Sequence, residues 1–162
     1  MKNNKFLVAF FAALTLFFGF PNPFLQLPLL VLIFPAVLLF FALSSTGGRQ
    51  AFKIGFLTGV AGYAACLYWI AVPVHDFGHF PWILAFPLPV LLGAYVALYS
   101  GLFCLIIHKA RPFLAPNWPL LASNSNKTKN ILWLNAFSLL KLALFAGLCW
   151  TLLEYMRGWL FT

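Results

Sequence analysis

His75 and Asp76 stand side by side, with His79 three residues further on, in the stretch Val74-His75-Asp76-Phe77-Gly78-His79-Phe80-Pro81-Trp82. Two imidazoles and a carboxylate this close are able to ligate zinc or relay a proton. A zinc site needs a third or fourth ligand, and the same side of the chain offers only Glu154 besides, so no metal is expected. Two readings stay open for the loop: a turn closed by its own polar groups, or a substrate contact in which His75, Asp76 and Trp82 take part. The second acid, Glu154, lies three residues before Arg157, which puts both on one helix face. Ionisable side chains at membrane depth are expensive and are usually paired or functional. Glu154 and Arg157 therefore read equally as a structural ion pair and as a substrate contact. His108, beside Lys109 and Arg111, reads as a surface residue.

The other reactive side chains assemble into nothing. Cys66, Cys104 and Cys149 are far apart in apolar stretches and read as small buried hydrophobes; their odd number argues against a disulfide framework. There is no G-x-S-x-G, P-loop or H-E-x-x-H, and no Cys has a His nearby, so neither a catalytic set nor a cofactor is expected.

Whatever these residues do must be done from within a bilayer. Of the 162 residues, 64% are apolar and only 7% charged, against roughly 25% charged in a soluble domain. The chain cannot cover a globular surface with polar groups, and it is expected to be an all-α, polytopic bundle of transmembrane helices. At about 20 residues per crossing, with loops, about five spans fit. The net charge of +8 is dispersed among apolar runs, without the clustered cations and stacking aromatics that nucleic acid requires, so a nucleic-acid partner is excluded.

The runs place spans near 6–20, 24–43, 54–74, 83–107 and 142–161, with a loop over 108–130. Lys2 and Lys5 before Phe6–Phe20 resemble the start of a signal peptide, but no small-x-small cleavage site follows, and the run reads as an uncleaved span ended by the Pro21-Asn22-Pro23 turn. Pro28 and Pro35 are expected to kink the second span. With alternating spans, Lys2, Lys5, Arg49, Lys53, Lys109, Arg111, Lys127 and Lys129 share one side, Arg157 stands alone on the other, and Lys141 sits at a boundary. Positive residues stay in the cytoplasm. The amino terminus and the 108–130 loop are thus expected there, with the 75–82 loop and the Glu154 end opposite.

Small residues recur at a spacing of four, Gly55 and Gly59 in the third span and Gly93, Ala97 and Gly101 in the fourth. Such stripes let helices approach closely, or open a groove for a lipid chain. Tyr63, Tyr68 and Trp69 suit an interfacial aromatic belt or a binding site. On the residues alone, the reading stops at a polytopic inner-membrane protein with a polar outer rim.

Several motifs, in order, resemble the amino-terminal membrane region of the apolipoprotein N-acyltransferase family. They are Phe20-Pro21-Asn22-Pro23-Phe24, Gly62-Tyr63-Ala64-Ala65-Cys66-Leu67-Tyr68-Trp69-Ile70 with His75-Asp76-Phe77-Gly78 and Pro81-Trp82, Ala94-Tyr95-Val96-Ala97-Leu98-Tyr99, and Trp150 to Thr162. The resemblance implies a bacterial inner-membrane acyltransferase of lipoprotein biosynthesis. Its donor would be a phospholipid and its acceptor the α-amino group of a lipoprotein's diacylglyceryl-cysteine. It also implies eight spans and a nitrilase-like domain whose Cys, Glu and Lys act as nucleophile, base and oxyanion stabiliser. No residue here matches those three, and the chain reaches Thr162 where the family runs on to Gly-Phe-Pro-Trp. The resemblance thus implies the first five spans of such an enzyme, inactive alone. The alternative is a complete small carrier or assembly subunit, which an inverted repeat or a mid-membrane charge would favour; neither is evident.

Overall fold

The computed structural model describes residues 2–20, 27–114 and 129–160, with side-chain surroundings for 7–20, 27–114 and 137–159. All regular elements among them are helical: α1 (Lys2–Gly19), a 3₁₀ turn (Pro28–Leu32) running into α2 (Ile33–Ser44), α3 (Gly48–Cys66), a 3₁₀ turn (Tyr68–Ile70) leading to α4 (Ala71–Asp76), α5 (Trp82–Ala85), α6 (Pro87–Leu114) and α7 (Lys129–Leu160). They form five rods. Two of these, Trp82–Leu114 and Phe137–Trp159, are each long and apolar enough to cross a bilayer. A third is the pair Gly48–Cys66 and Tyr68–Asp76, bent by 50°, and the shorter apolar helices Leu7–Gly19 and Pro28–Ser44 make up the set. The Pro21–Pro23 turn, the polar run Ser123–Thr128 and the end at Thr162 lie outside the described residues.

The bundle is organised by α3 against α6, its most extensive helix pair. They run antiparallel, because the glycines and their neighbours match in reverse order. A Cβ on Gly55 would lie 2.5 Å from Cys104 Sγ, one on Gly59 2.9 Å from the Ala97 Cβ, and one on Gly93 2.8 Å from the Ala64 nitrogen. One on Gly101 would meet the Phe52 ring at 2.8 Å. With side chains absent at these points the backbones come together, and dispersion between them replaces the hydrophobic drive that lipid does not supply.

α2 packs parallel to α6. Its Phe34, Leu38, Phe41 and Ala42 are fully buried, and the Cys104 thiol donates to the Leu38 carbonyl at 3.4 Å. Its last carbonyls, which have no partner within the helix, are met by side chains from α6. His108 Nδ1 donates to Ala42 O at 3.1 Å and Arg111 Nη1 to Leu43 O at 2.7 Å. Cationic and polar groups at a helix carboxyl end also complement its dipole. His108 is therefore half-buried and engaged, not the free surface residue its neighbours suggested. At the start of α3, Gln50 Oε1 accepts from the Thr46 backbone N–H at 3.1 Å and from its hydroxyl at 2.6 Å, a variant of the capping box.

The prolines and the helix ends add local detail. Pro28 falls at the start of the 3₁₀ turn, where no intrahelical N–H bond is lost, and Pro35 is the third residue of α2, directly after that turn. A bend of 50° that was not expected falls in the third rod, at residues 67–70. Pro73 cannot donate to the Trp69 carbonyl and crowds it, which loosens the helix one turn upstream. Helix runs past the expected span end at 107 to Leu114, into the expected 108–130 loop, and α7 begins at Lys129, ahead of the expected span start near 142, since nothing in His108–Arg111 or Asn135–Lys141 stops a helix when it leaves the hydrocarbon.

Gly59→Leu should lower stability by about 1–3 kcal/mol, the usual cost of overpacking, read as an earlier midpoint in an SDS titration followed by circular dichroism. Gly147→Leu, where a Cβ meets nothing within 4 Å, should leave the midpoint unchanged. Equal midpoints for the two variants would dismiss the close approach as a source of stability.

Candidate functional site

Arg49, Lys53, His108, Lys109 and Arg111 gather at one end of the bundle, because the start of α3 adjoins the end of α6: a Cβ on Gly48 would lie 3.0 Å from the Leu105 side chain and 3.9 Å from the His108 ring. The candidate site is at the opposite end, where the ends of α1 and α3, the 3₁₀ turn Tyr68–Ile70, α6 and the last turns of α7 line a cavity.

α7 reaches that end through a stripe of buried residues, Leu142, Ala146, Cys149 and Leu153, whose spacing of four, three and four keeps them on one helix face. The stripe can continue at Met156 or Arg157; Met156 is exposed, and Arg157 takes the inward place. Its guanidinium consequently turns inward, and with Phe20, Tyr63, Cys66, Leu67, Trp69 and Val96 it lines a half-open cavity of about 550 Å³. Glu154 pairs with it, Oε2 to Nη2 at 2.5 Å, both side chains about one-third exposed. Among the described residues the cavity wall is otherwise apolar or aromatic, and Arg157 is the one charge in its lining. Lys141, sixteen residues earlier, lies roughly 24 Å along the axis, exposed, with its Nζ 4.4 Å from the centroid of the Phe137 ring. The two cations of the α7 membrane segment thus stand near its two ends.

The 75–82 loop is a hairpin between α4 and α5. His75 Nδ1 donates to the Phe80 carbonyl at 2.7 Å, and its ring stacks on Trp82, 4.1 Å between centroids and 26° between planes. His79 takes φ +53°, the left-handed region that non-glycine residues rarely occupy, and a Cβ on Gly78 would sit 2.5 Å from the Val74 carbonyl oxygen. The chain turns there only because Gly78 has no side chain. Trp82 also lines a second cavity of about 400 Å³ with Tyr68, Ala71, Val72, Phe86 and Val90, between the bent third rod and α6.

Of the five substrate-side candidates, Glu154 and Arg157 are brought together and Trp82 and His75 are brought together, but no hydrogen bond or ion pair joins the two pairs among the described residues. His75 spends its Nδ1 within the hairpin. Asp76 is exposed and unpaired among the described residues. Those residues also contain no group of three or more His, Cys, Asp or Glu able to hold a metal. Tyr63, buried at 8% exposure, and Trp69 line the Arg157 cavity, whereas Phe20 and Val96 were not foreseen from the sequence as its walls. The signal that could have found the cavity is the stripe from Leu142 to Leu153, extended by one step.

The class these features define is an integral membrane bundle that gathers a charged pair, an aromatic hairpin and apolar cavities at one end. Comparison with known proteins narrows it. The family model of the apolipoprotein N-acyltransferase N-terminal domain matches residues 12–162, and the chain belongs to that family. An apolipoprotein N-acyltransferase of Geobacter metallireducens is 33% identical over 109 residues, 67% of this chain and 20% of the relative. That of Vibrio parahaemolyticus is 31% identical over 137 residues, 85% of this chain and 22% of the relative; that of Neisseria meningitidis is 35% identical over 99 residues, 58% and 19%. The chain spans about a fifth of the length of these curated relatives. No solved structure matches it significantly.

His75→Ala removes both the bond to Phe80 and the stack on Trp82, a loss of about 1 kcal/mol or more. Amide hydrogen exchange should quicken across residues 76–82 while α3 and α6 keep their protection. Unchanged exchange in the hairpin would show that His75 does not hold it.

Proposed function

We propose that this chain is the membrane-embedded amino-terminal part of an apolipoprotein N-acyltransferase, a bacterial inner-membrane enzyme that moves an acyl chain from a phospholipid to the amino-terminal diacylglyceryl-cysteine of a lipoprotein. The family match over residues 12–162 carries the reading. In this role the amino terminus and the basic end face the cytoplasm, in keeping with the positive-inside bias, and the hairpin and the Glu154–Arg157 pair face the periplasm.

The chemistry would lie outside these residues. Cys104 and Cys149 are buried on helix faces and Cys66 half-buried at the end of α3, and among the described residues none has a hydrogen-bonded His or carboxylate to make it a nucleophile. The membrane part instead presents substrate. The Arg157 cavity, of a size typical of ligand sites, suits an acyl chain along its apolar wall with the lipid phosphate against the guanidinium. Glu154 holds the guanidinium at the mouth. The rim residues His75, Asp76 and Trp82 then border the path of the lipoprotein amino terminus.

Residues 1–162 expressed alone should show no acyl transfer above background in a lipoprotein acylation assay. Exchanged for the matching region of the Geobacter metallireducens relative, they should support acylation, and Arg157→Ala in that chimera should cut the rate about tenfold, as loss of a charge-assisted contact does. Full activity of Arg157→Ala would remove this residue from the lipid site, and turnover by the short chain alone would overturn the division of labour.

A further inference from the structure

We propose that Trp150 is a positioning residue: its indole, wedged against Phe103 and Phe34, sets the rotation and height of α7 at which Arg157 meets the cavity. The proposal rests on the reading that this cavity takes a phosphate-headed lipid against Arg157.

The geometry is a matter of helix period. Trp150 precedes Arg157 by seven residues, about 20° short of two full turns, so both lie on one face roughly 10.5 Å apart along the axis. On that face the Trp150 ring meets Phe103 edge-on, with centroids 5.3 Å apart and planes at 89°. It meets Phe34 at 6.4 Å and 70°. Phe34 in turn packs on Tyr63 at 5.7 Å and 70°, and Tyr63 lines the cavity. One ring therefore registers both walls. Through α7 it fixes Arg157, and through Phe34 it fixes Tyr63.

Among the described residues of α7, no other aromatic ring packs on both Phe34 and Phe103. The neighbouring positions on its buried stripe are Ala146, Cys149 and Leu153, none of them a ring, and Gly147 faces open space. The indole itself lines an open cleft of about 190 Å³ with Pro35, Ala36, Leu39, Phe103, Ala146 and Gly147. If the indole is cut back, that cleft widens and the helix is free to roll into it, carrying Arg157 off the mouth.

Cys66, in the cavity wall, gives a readout. The 162-residue chain is purified in maltoside micelles and alkylated with N-ethylmaleimide, with and without phosphatidylglycerol. The rates at Cys66 and Cys104 are followed peptide by peptide by mass spectrometry; Cys104, fully buried against α3 and α2, reports whether the bundle is folded. Phosphatidylglycerol is expected to slow Cys66 alkylation about tenfold. Arg157→Ala and Trp150→Ala should each abolish that protection, the double variant should be no worse than either single one, as for residues acting as a unit, and Trp150→Phe should keep it. Protection intact in Trp150→Ala but lost in Arg157→Ala overturns the positioning role and leaves the cavity reading standing. No protection in the unmodified chain, or no effect of Arg157→Ala, overturns the cavity reading and this proposal with it. Should Trp150→Ala expose Cys104, Trp150→Leu, apolar and bulky but without a ring, takes its place, and intact protection there is equally fatal.

Discussion

The backbone contact between α3 and α6 is the interaction on which the rest of the structure depends. In lipid an apolar side chain gains little by leaving the solvent, so helices associate through close dispersion contact and satisfied polar groups. Gly55, Gly59, Gly93, Ala97 and Gly101 supply the first by leaving room for the partner helix, and their reverse pairing fixes the antiparallel register. α2 is then laid along α6, where Cys104, His108 and Arg111 reach its carbonyls. α7 is laid on the α2–α6 face through Phe34 and Phe103. Each added helix uses a surface that the previous contact created.

The same order explains how the polar groups are placed. A membrane protein cannot leave helix ends unsatisfied unless water reaches them. At the basic end, half-buried carbonyls of α2 are met by side chains that also carry the topology-setting charge, so one set of residues performs two tasks. At the opposite end the polar groups bind one another, Glu154 with Arg157 and His75 with the Phe80 carbonyl. The interior is left apolar apart from a few small groups. Ser100 Oγ is one, fully buried without a hydrogen bond of regular geometry.

Class and architecture were legible because they follow from composition and period: the apolar runs, the dispersed cations and the four-residue spacing of small residues all have their counterparts in the rods and in the α3–α6 contact. The bend at residues 67–70 was missed because an apolar run reads as continuous, although Pro73 marks it by a rule that acts one turn upstream. Pro35 is third in α2 as Pro73 is third in α4, and each follows a 3₁₀ turn. The site was half legible. Glu154 and Arg157 could be paired by spacing alone, but the cavity between them and Tyr63 is made by residues from four helices, among them Phe20 and Val96, which carry no chemical signal. His108 looked like a surface group because its partner, the end of α2, lies 66 residues away.

The pairing of Glu154 with Arg157 also bears on how the chain is made. In the proposed orientation the far end of α7 has to be carried through the insertion machinery, and a lone arginine at helix depth costs about 2.5–3.5 kcal/mol on the insertion scale. Three residues apart on one helix, the two groups are able to meet as soon as that turn forms and to travel as a neutral dipole, whereas Lys129 and Lys141 stay behind as the retained charge. The acid that braces the arginine in the finished bundle thereby also lowers the barrier to its delivery.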